Sequence, residues 1–163
     1  MVDFTAQNPA DEAAVEDLLD RAFGPGRLDL PSYRLRQGVA PIAGLKYAAW
    51  DGDKLVGTFR FWPLVIGGTA PALLLGPLAV DAAYRRRAIA STLIERGLED
   101  AGKAGHPIVT AVGKLGLFGR FGFVAAKPLG LVMPGLADGN RLLVLGELDG
   151  ATGRLSQPLD EID

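Results

Sequence analysis

The 163-residue sequence has no cysteine, one histidine and no excess of charge of either sign. Without cysteine there is no disulfide framework, no thiolate metal site and no cysteine nucleophile. His106 alone cannot build a metal cluster, so no metal is expected. Seventeen Lys and Arg stand against nineteen Asp and Glu, a formal charge of -2. Such a chain lacks the global basic field that nucleic-acid binding usually needs, and any anion site must be local. Long apolar runs are also missing. The longest, APALLLGPLAV, is broken by Pro and Gly and is too short to span a bilayer. The N-terminal stretch MVDFTAQNPADEAAVEDLL has no basic segment leading into an apolar one, so it does not read as a signal peptide, and a cytoplasmic protein without a membrane partner is expected. The length fits a single domain over 1–163, with a core of about 1–149 and a polar, loosely packed tail over 150–163.

What is present is a change of periodicity along the chain. After a short strand near Asp3 to Thr5, Ala14, Val15, Leu18, Leu19 and Ala22 fall at helical spacing between Pro9 and Phe23, behind Asn8 as a cap. GPGRLDLP breaks that helix, and Ser32 to Gln37 can form a second, shorter one. From Leu45 the pattern turns to strands: LKYAAW, the turn DGD, then KLVGTFRFWPLVI as a hairpin, and ALLLGPLAV as a continuous strand buried on both faces. The three make an antiparallel meander. A helix over Ala88 to Lys103 follows, with Ile89, Leu93, Ile94, Gly97, Leu98 and Ala101 on one stripe. PIVTAV is the next buried strand, reached by a crossover that should be parallel and right-handed. GKLGLFGRFGF is a glycine-rich turn or short helix, and FVAA and RLLVLGEL are closing strands.

Arg85, Arg86 and Arg87 stand where that helix begins, although the positive end of a helix dipole favours acidic side chains. Three arginines by themselves also fit a solvated loop. A buried strand delivering a basic turn into a helix start is, however, an arrangement that binds phosphate through free backbone N–H groups and guanidinium groups. Neither a P-loop nor a dinucleotide fingerprint is present, so the residues point to an anion and no further.

The segment LGPLAVDAAYRRRAIASTLIERGLEDAGKAGHPIVTAVG resembles the acetyl-CoA-binding core of GNAT N-acetyltransferases, and LRQGV, VGTFRFWP, LLLGPLAV and GRFGF resemble one bacterial branch of that family. The resemblance runs from the first helix to about Phe123. It implies an α/β fold, a central mixed sheet flanked by helices, and an acyl-CoA, in the first place acetyl-CoA, as cosubstrate. In the family the pattern Q/R-x-x-G-x-G/A wraps the pyrophosphate. Here it falls on Arg85, Arg86, Arg87, Ala88, Ile89 and Ala90, with Ser91 next. Ala88 replaces the usual glycine, and Arg86 stands where this branch commonly has another. An alanine forced to positive φ there costs on the order of 1 kcal/mol. The resemblance also implies that the main chain of Leu78, Ala79 and Val80 meets the pantetheine arm. Gly76 and Pro77 beside them mark a strand irregularity.

Acyl transfer to an amine needs an acid for the sulfur and a base for the amine. The family's acid is a tyrosine shortly before the GF element, where this chain has Leu117 and Phe118; Phe118 can pack on the cofactor arm but cannot donate a proton. No catalytic residue is assigned. Asp81 reads as a turn residue, Tyr84 as packing or capping, and His106 as a solvated loop residue. Tyr33, Arg36 and Tyr47 belong to the region that covers the acceptor pocket in the family, with Tyr33 as structural or substrate-contacting. Phe59, Phe61 and Trp62 alternate on a strand, and an outward Phe61 or Trp62 would line an acceptor site. The leading expectation is an N-acyltransferase that acts mainly by positioning an acyl-CoA and an amine acceptor, as a monomer or homodimer. The alternative is a catalytically impaired relative that binds acyl-CoA or serves as a regulatory module. Nucleic-acid binding through Arg85 to Arg87 is disfavoured by the acidic balance.

Overall fold

Alternating side chains in the first third of the chain form the edge of a sheet in the computed structural model, which describes residues 1–85 and 88–158. Strand β1 (Val2–Ala6) pairs antiparallel with β2 (Lys46–Asp51), which turns through Gly52 into the long strand β3 (Lys54–Ile66). Between β1 and β2 lies helix α1 (Glu12–Phe23), entered through a single-turn Pro9–Asp11 segment. The Asn8 amide donates to the Asp11 carboxylate at 2.8 Å, closing the N-terminal box. Val15, Leu18 and Leu19 pack on Ala48, Leu55 and Ala79. Ala22, expected on the same stripe, is exposed because the last turn of α1 borders an open hollow. The second helix is shorter than its spacing predicts: α2 covers only Pro31–Arg34, with Pro31 in the first turn, where a missing N–H costs nothing.

The apolar run expected as one strand is two. β4 (Ala70–Leu75) pairs antiparallel with β3, Phe61 facing Leu75, whereas β5 (Ala79–Val80) pairs with β3 through Thr58 and Ala79. Four residues of one chain therefore span three of the other, and the extra residue is accommodated at Gly76–Leu78. Helix α3 (Ile89–Lys103) carries the chain to β6 (Val109–Val112), which lies parallel to β4 as the crossover predicts. α3 lies tight against the sheet at Gly97, where a Cβ would come within 2.3 Å of Phe59 and 2.8 Å of Phe61. Ile89, Leu93, Ile94 and Ala101 complete the buried stripe, with Leu98 partly buried beside it.

After β6 come helix α4 (Leu115–Phe118) and strands β7 (Val124–Ala125), β8 (Leu131–Val132), β9 (Leu142–Leu145) and β10 (Gly153–Ser156). The sheet order is β1-β2-β3-β4-β6-β9-β7. β10 corrects the expectation of a loose tail: it pairs with β3 through Leu155 and Ile66 and runs parallel to β8, with Leu155 fully buried. A single apolar side chain with a free strand end to pair with is enough to dock a polar segment. Among the described residues no helix is long and apolar enough to cross a membrane.

Candidate functional site

The break between β4 and β5 opens the sheet. Gly76 (φ 126°) keeps its N–H on Arg60 O at 2.8 Å, and its carbonyl accepts from Trp62 Nε1 at 2.6 Å. Further on, Asp81 N donates to Val56 O at 2.8 Å. Because hydrogen-bonding direction alternates along an antiparallel ladder, the amides of Leu78 and Val80 then point away from β3. No strand pairs with that edge of β5 among the described residues. Its main-chain donors and acceptors face a groove formed by three adjoining hollows of about 490, 350 and 270 Å³, with Leu117, Leu78 and Val80 as shared walls.

One end of the groove is the start of α3. The hollow there is lined by Val80, Tyr84, Arg85, Ala88, Ile89, Ala90, Ser91, Leu117 and Arg120. Ala88 O accepts the first helical bond, from Thr92 N at 3.0 Å, which leaves the amides of Ile89, Ala90 and Ser91 without helical acceptors. Ala88 provides no side-chain cap, and the first turn contains no acidic residue. Ala88 itself adopts the left-handed conformation, φ 56° and ψ 21°, the strained geometry expected of an alanine at that position. Amides without helical acceptors, a first turn with no acidic residue, and Arg85 and Arg120 on the rim are groups that can hold an anion. Arg86 and Arg87 lie outside the described residues.

The other end is the largest hollow, a cleft under α2 whose walls are mostly apolar: Leu30, Leu75, Leu78, Leu117, Phe118, Met133 and Leu136. Tyr33 and Arg36 enter it from α2 and the loop that follows. The Tyr33 hydroxyl accepts from Arg27 Nη1 at 2.8 Å, and its ring lies 4.7 Å from the Arg36 guanidinium carbon. The same guanidinium stands 5.8 Å from the centre of the Trp62 ring, which is tethered to Gly76 O. Trp62 supports the strand break and Arg36 and does not line the cleft. Phe61 must be corrected as an acceptor contact: it is fully buried on the face that α3 covers, edge-on to Phe59 at 4.9 Å. Tyr47 also lies on that face, where its hydroxyl donates to Asp100 at 2.8 Å and burial raises its pKa.

Groups able to move protons are sparse. Asp81 caps the turn after β5, accepting from Ala83 N at 3.0 Å and pairing with Arg21 at 2.8 Å; the Arg21 hydrogen bond, aided by that amide, holds its carboxyl below the usual range. Tyr84 donates to Asp51, and His106 sits at the α3–β6 connection, lining none of the hollows of the groove. Leu117 forms the wall between the two main hollows, and Phe118 is wedged edge-on to Phe123 at 5.4 Å. The sequence reading missed Arg120, Lys114 and Arg141, because each reaches the groove only through the fold of the segment after β6. It also left Arg36 without a role.

Comparison with known proteins bears on this geometry. The Acetyltransferase (GNAT) domain family matches residues 4–126. An uncharacterized N-acetyltransferase, YhbS of Escherichia coli, is 30% identical over 119 residues, which are 72% of this chain and 71% of that protein. An uncharacterized N-acetyltransferase of Streptomyces avermitilis is 33% identical over 112 residues, but the match spans only 27% of its length. Among solved structures, Escherichia coli YhbS in complex with CoA superposes with a TM-score of 0.79 at 26% identity, covering 96% of this chain and 89% of that one. A Brucella melitensis GNAT acetyltransferase in complex with acetyl-CoA shares the fold, with a TM-score of 0.75 at 23% identity over 96% and 95% of the two chains.

Proposed function

The chain belongs to the GNAT acetyltransferase family, and from that premise we propose that it transfers an acyl group, in the first place acetyl, from an acyl-CoA to a primary amine of a small molecule or protein. The observation that carries this reading is the start of α3: three amides without helical acceptors, no acidic residue in the first turn, and Arg85 and Arg120 at the rim of a groove that continues along an edge of β5 unpaired among the described residues. Arg85, Ala88, Ile89, Ala90 and Ser91, with Arg86 and Arg87, take the pyrophosphate. The main chain of Leu78, Ala79 and Val80 takes the pantetheine arm, and Phe118 closes the cleft beside the thioester. Tyr33 borders the acceptor. A reaction that draws on acyl-CoA belongs in the cytoplasm and needs neither membrane nor nucleic acid.

In the reaction the amine nitrogen bonds to the thioester carbonyl carbon, the carbon–sulfur bond breaks, and the amine proton balances the released thiolate. Leu117 and Phe118 offer no hydroxyl to the sulfur, so the protein contributes position: the groove aligns two reactants, and alignment alone supplies several kcal/mol of barrier reduction. Solvent at the open cleft carries the proton. Calorimetric titration with CoA and acetyl-CoA, followed by thiol release with an amine library, is the test. Saturable binding with turnover is expected. Binding without turnover from any amine would make the chain an acyl-CoA-binding module, the reading that the missing hydroxyl favours, and no binding would overturn the assignment.

A further inference from the structure

Among the described residues three arginines are buried, and two of them are satisfied. Arg27, 6% exposed, pairs with Glu16 and Asp20 and donates to Tyr33; Arg60, 7% exposed, donates to Gln7 at 2.9 Å and pairs with Glu12 at 2.5 Å. Arg36 is just as buried, at 8% exposure, yet among the described residues its Nε and Nη1 have no hydrogen-bond partner. Its guanidinium lies between the Tyr33 and Trp62 rings, with Nη2 3.0 Å from where a Cβ on Gly76 would stand, at the strand break and on the cleft wall. Ring faces attract a cation but do not satisfy its N–H groups.

A buried charge without a partner is strongly unfavourable, and natural folds keep one where a ligand completes it. The cleft is suited to supply that partner from outside. Lys114 and Arg141 also line it, and no Asp or Glu does so among the described residues. Burial lowers the Arg36 pKa to about 10, which still leaves it cationic at neutral pH. We propose that Arg36 receives a carboxylate in the cleft and that the acceptor is therefore an amine that also carries a carboxylate, as amino acids do. Planar guanidinium and planar carboxylate pair through two parallel hydrogen bonds, so the contact fixes the orientation of the acceptor as well as its charge. This substrate class rests on the acyltransferase reading above; the carboxylate site itself does not.

The experiment is a calorimetric titration of the full chain with N-acetyl amino acids from glycine to phenylalanine, each against its neutral amide, alongside acetyl-CoA and succinyl-CoA. At least one acid should bind tenfold or more tighter than its amide. Arg36→Gln should erase that difference and leave the acetyl-CoA affinity within twofold. Arg36→Met should raise the melting temperature, because it removes an unpaired buried charge at similar volume. A panel in which no acid binds better than its amide overturns the proposal, as does undiminished discrimination in Arg36→Gln. A lower melting temperature of Arg36→Met would show that the fold already satisfies the guanidinium and also overturns it. If Arg36→Gln instead removes a preference for succinyl-CoA over acetyl-CoA, the carboxylate belongs to the acyl chain and the acceptor assignment fails. Failure of wild type to bind either CoA ester sinks the acyltransferase reading, while the acid and amide titrations still read Arg36 directly.

Discussion

Ala88 holds a left-handed conformation that glycine adopts most readily, at the residue before α3 in the turn proposed to bind phosphate. A left-handed alanine costs on the order of 1 kcal/mol, while a glycine would regain that strain and lose part of it to a more flexible unfolded chain. Ala88→Gly should therefore stabilise the protein by up to about 1 kcal/mol in thermal or urea melts and leave CoA affinity equal or higher. A clear loss of affinity would mean that the turn does not grip the pyrophosphate. Arg85→Ala and Arg120→Ala each remove one cation from the rim and should weaken CoA binding by about 10- to 150-fold, the worth of a charge-assisted hydrogen bond at roughly 1.5 to 3 kcal/mol. The loss should shrink as salt rises, and unchanged affinity in both variants would displace the site. The strain at Ala88 was legible in the sequence because a helix start and the side chain standing in for glycine lie in one local segment. The isolation of Arg36 was not, because it follows from which acids reach which arginines: Glu16 and Asp20 on α1 reach Arg27, Glu12 reaches Arg60, and among the described residues none reaches Arg36.

α3 lies close on the sheet at Gly97, where a Cβ would come within 2.3 Å of the Phe59 ring. The added methyl of Gly97→Ala has to displace the Phe59 ring or lift the helix, and overpacking of this kind costs about 1 to 3 kcal/mol despite the better helix propensity of alanine. A melting temperature equal to or above wild type would contradict that packing. At the far end of the sheet, Gln157 beyond β10 donates to the carbonyls of Arg34, Leu35 and Gln37 and ties down the loop that carries Arg36. Gln157→Ala should raise amide exchange over residues 34–39 and weaken acceptor-side ligands while sparing CoA; unchanged exchange there would deny the clip a role. Elements with a strong period, such as α1, α3 and the β2–β3 hairpin, were readable from spacing alone. The division of β4 from β5 was announced by Gly76 and Pro77, but its consequence, an unpaired β5 edge, needs the register of β3 to be seen. β10 escaped notice because Leu155 is its one buried apolar residue and its pairing partners are more than twenty residues away.

Over the whole molecule, ion pairs fasten α1 across the sheet at two points. Glu12 at its start pairs with Arg60 on β3, and Arg21 near its end pairs with Asp81 after β5. Both carboxyls are held below their usual range, Glu12 chiefly by the hydrogen bond from Arg60 and Asp81 chiefly by the one from Arg21. A carboxyl whose folded pKa is depressed adds stability that is complete above its unfolded pKa and disappears as pH falls through the folded value. Unfolded Asp and Glu titrate near 3.9 and 4.3, so the melting temperature should be level above about pH 5.5 with respect to these groups and fall steadily below about pH 4.5. Because α1 also walls the groove at Phe23, CoA affinity should decline in the same window, before global unfolding. Glu12→Gln should lower the melting temperature at pH 7, where the pair is intact, and flatten the decline between pH 5 and 3, since one of the two titrating tethers is then gone. Melts of wild type and Glu12→Gln across pH 3 to 7 decide it: parallel curves for the two proteins would show that the tether of α1 to β3 contributes nothing to acid stability.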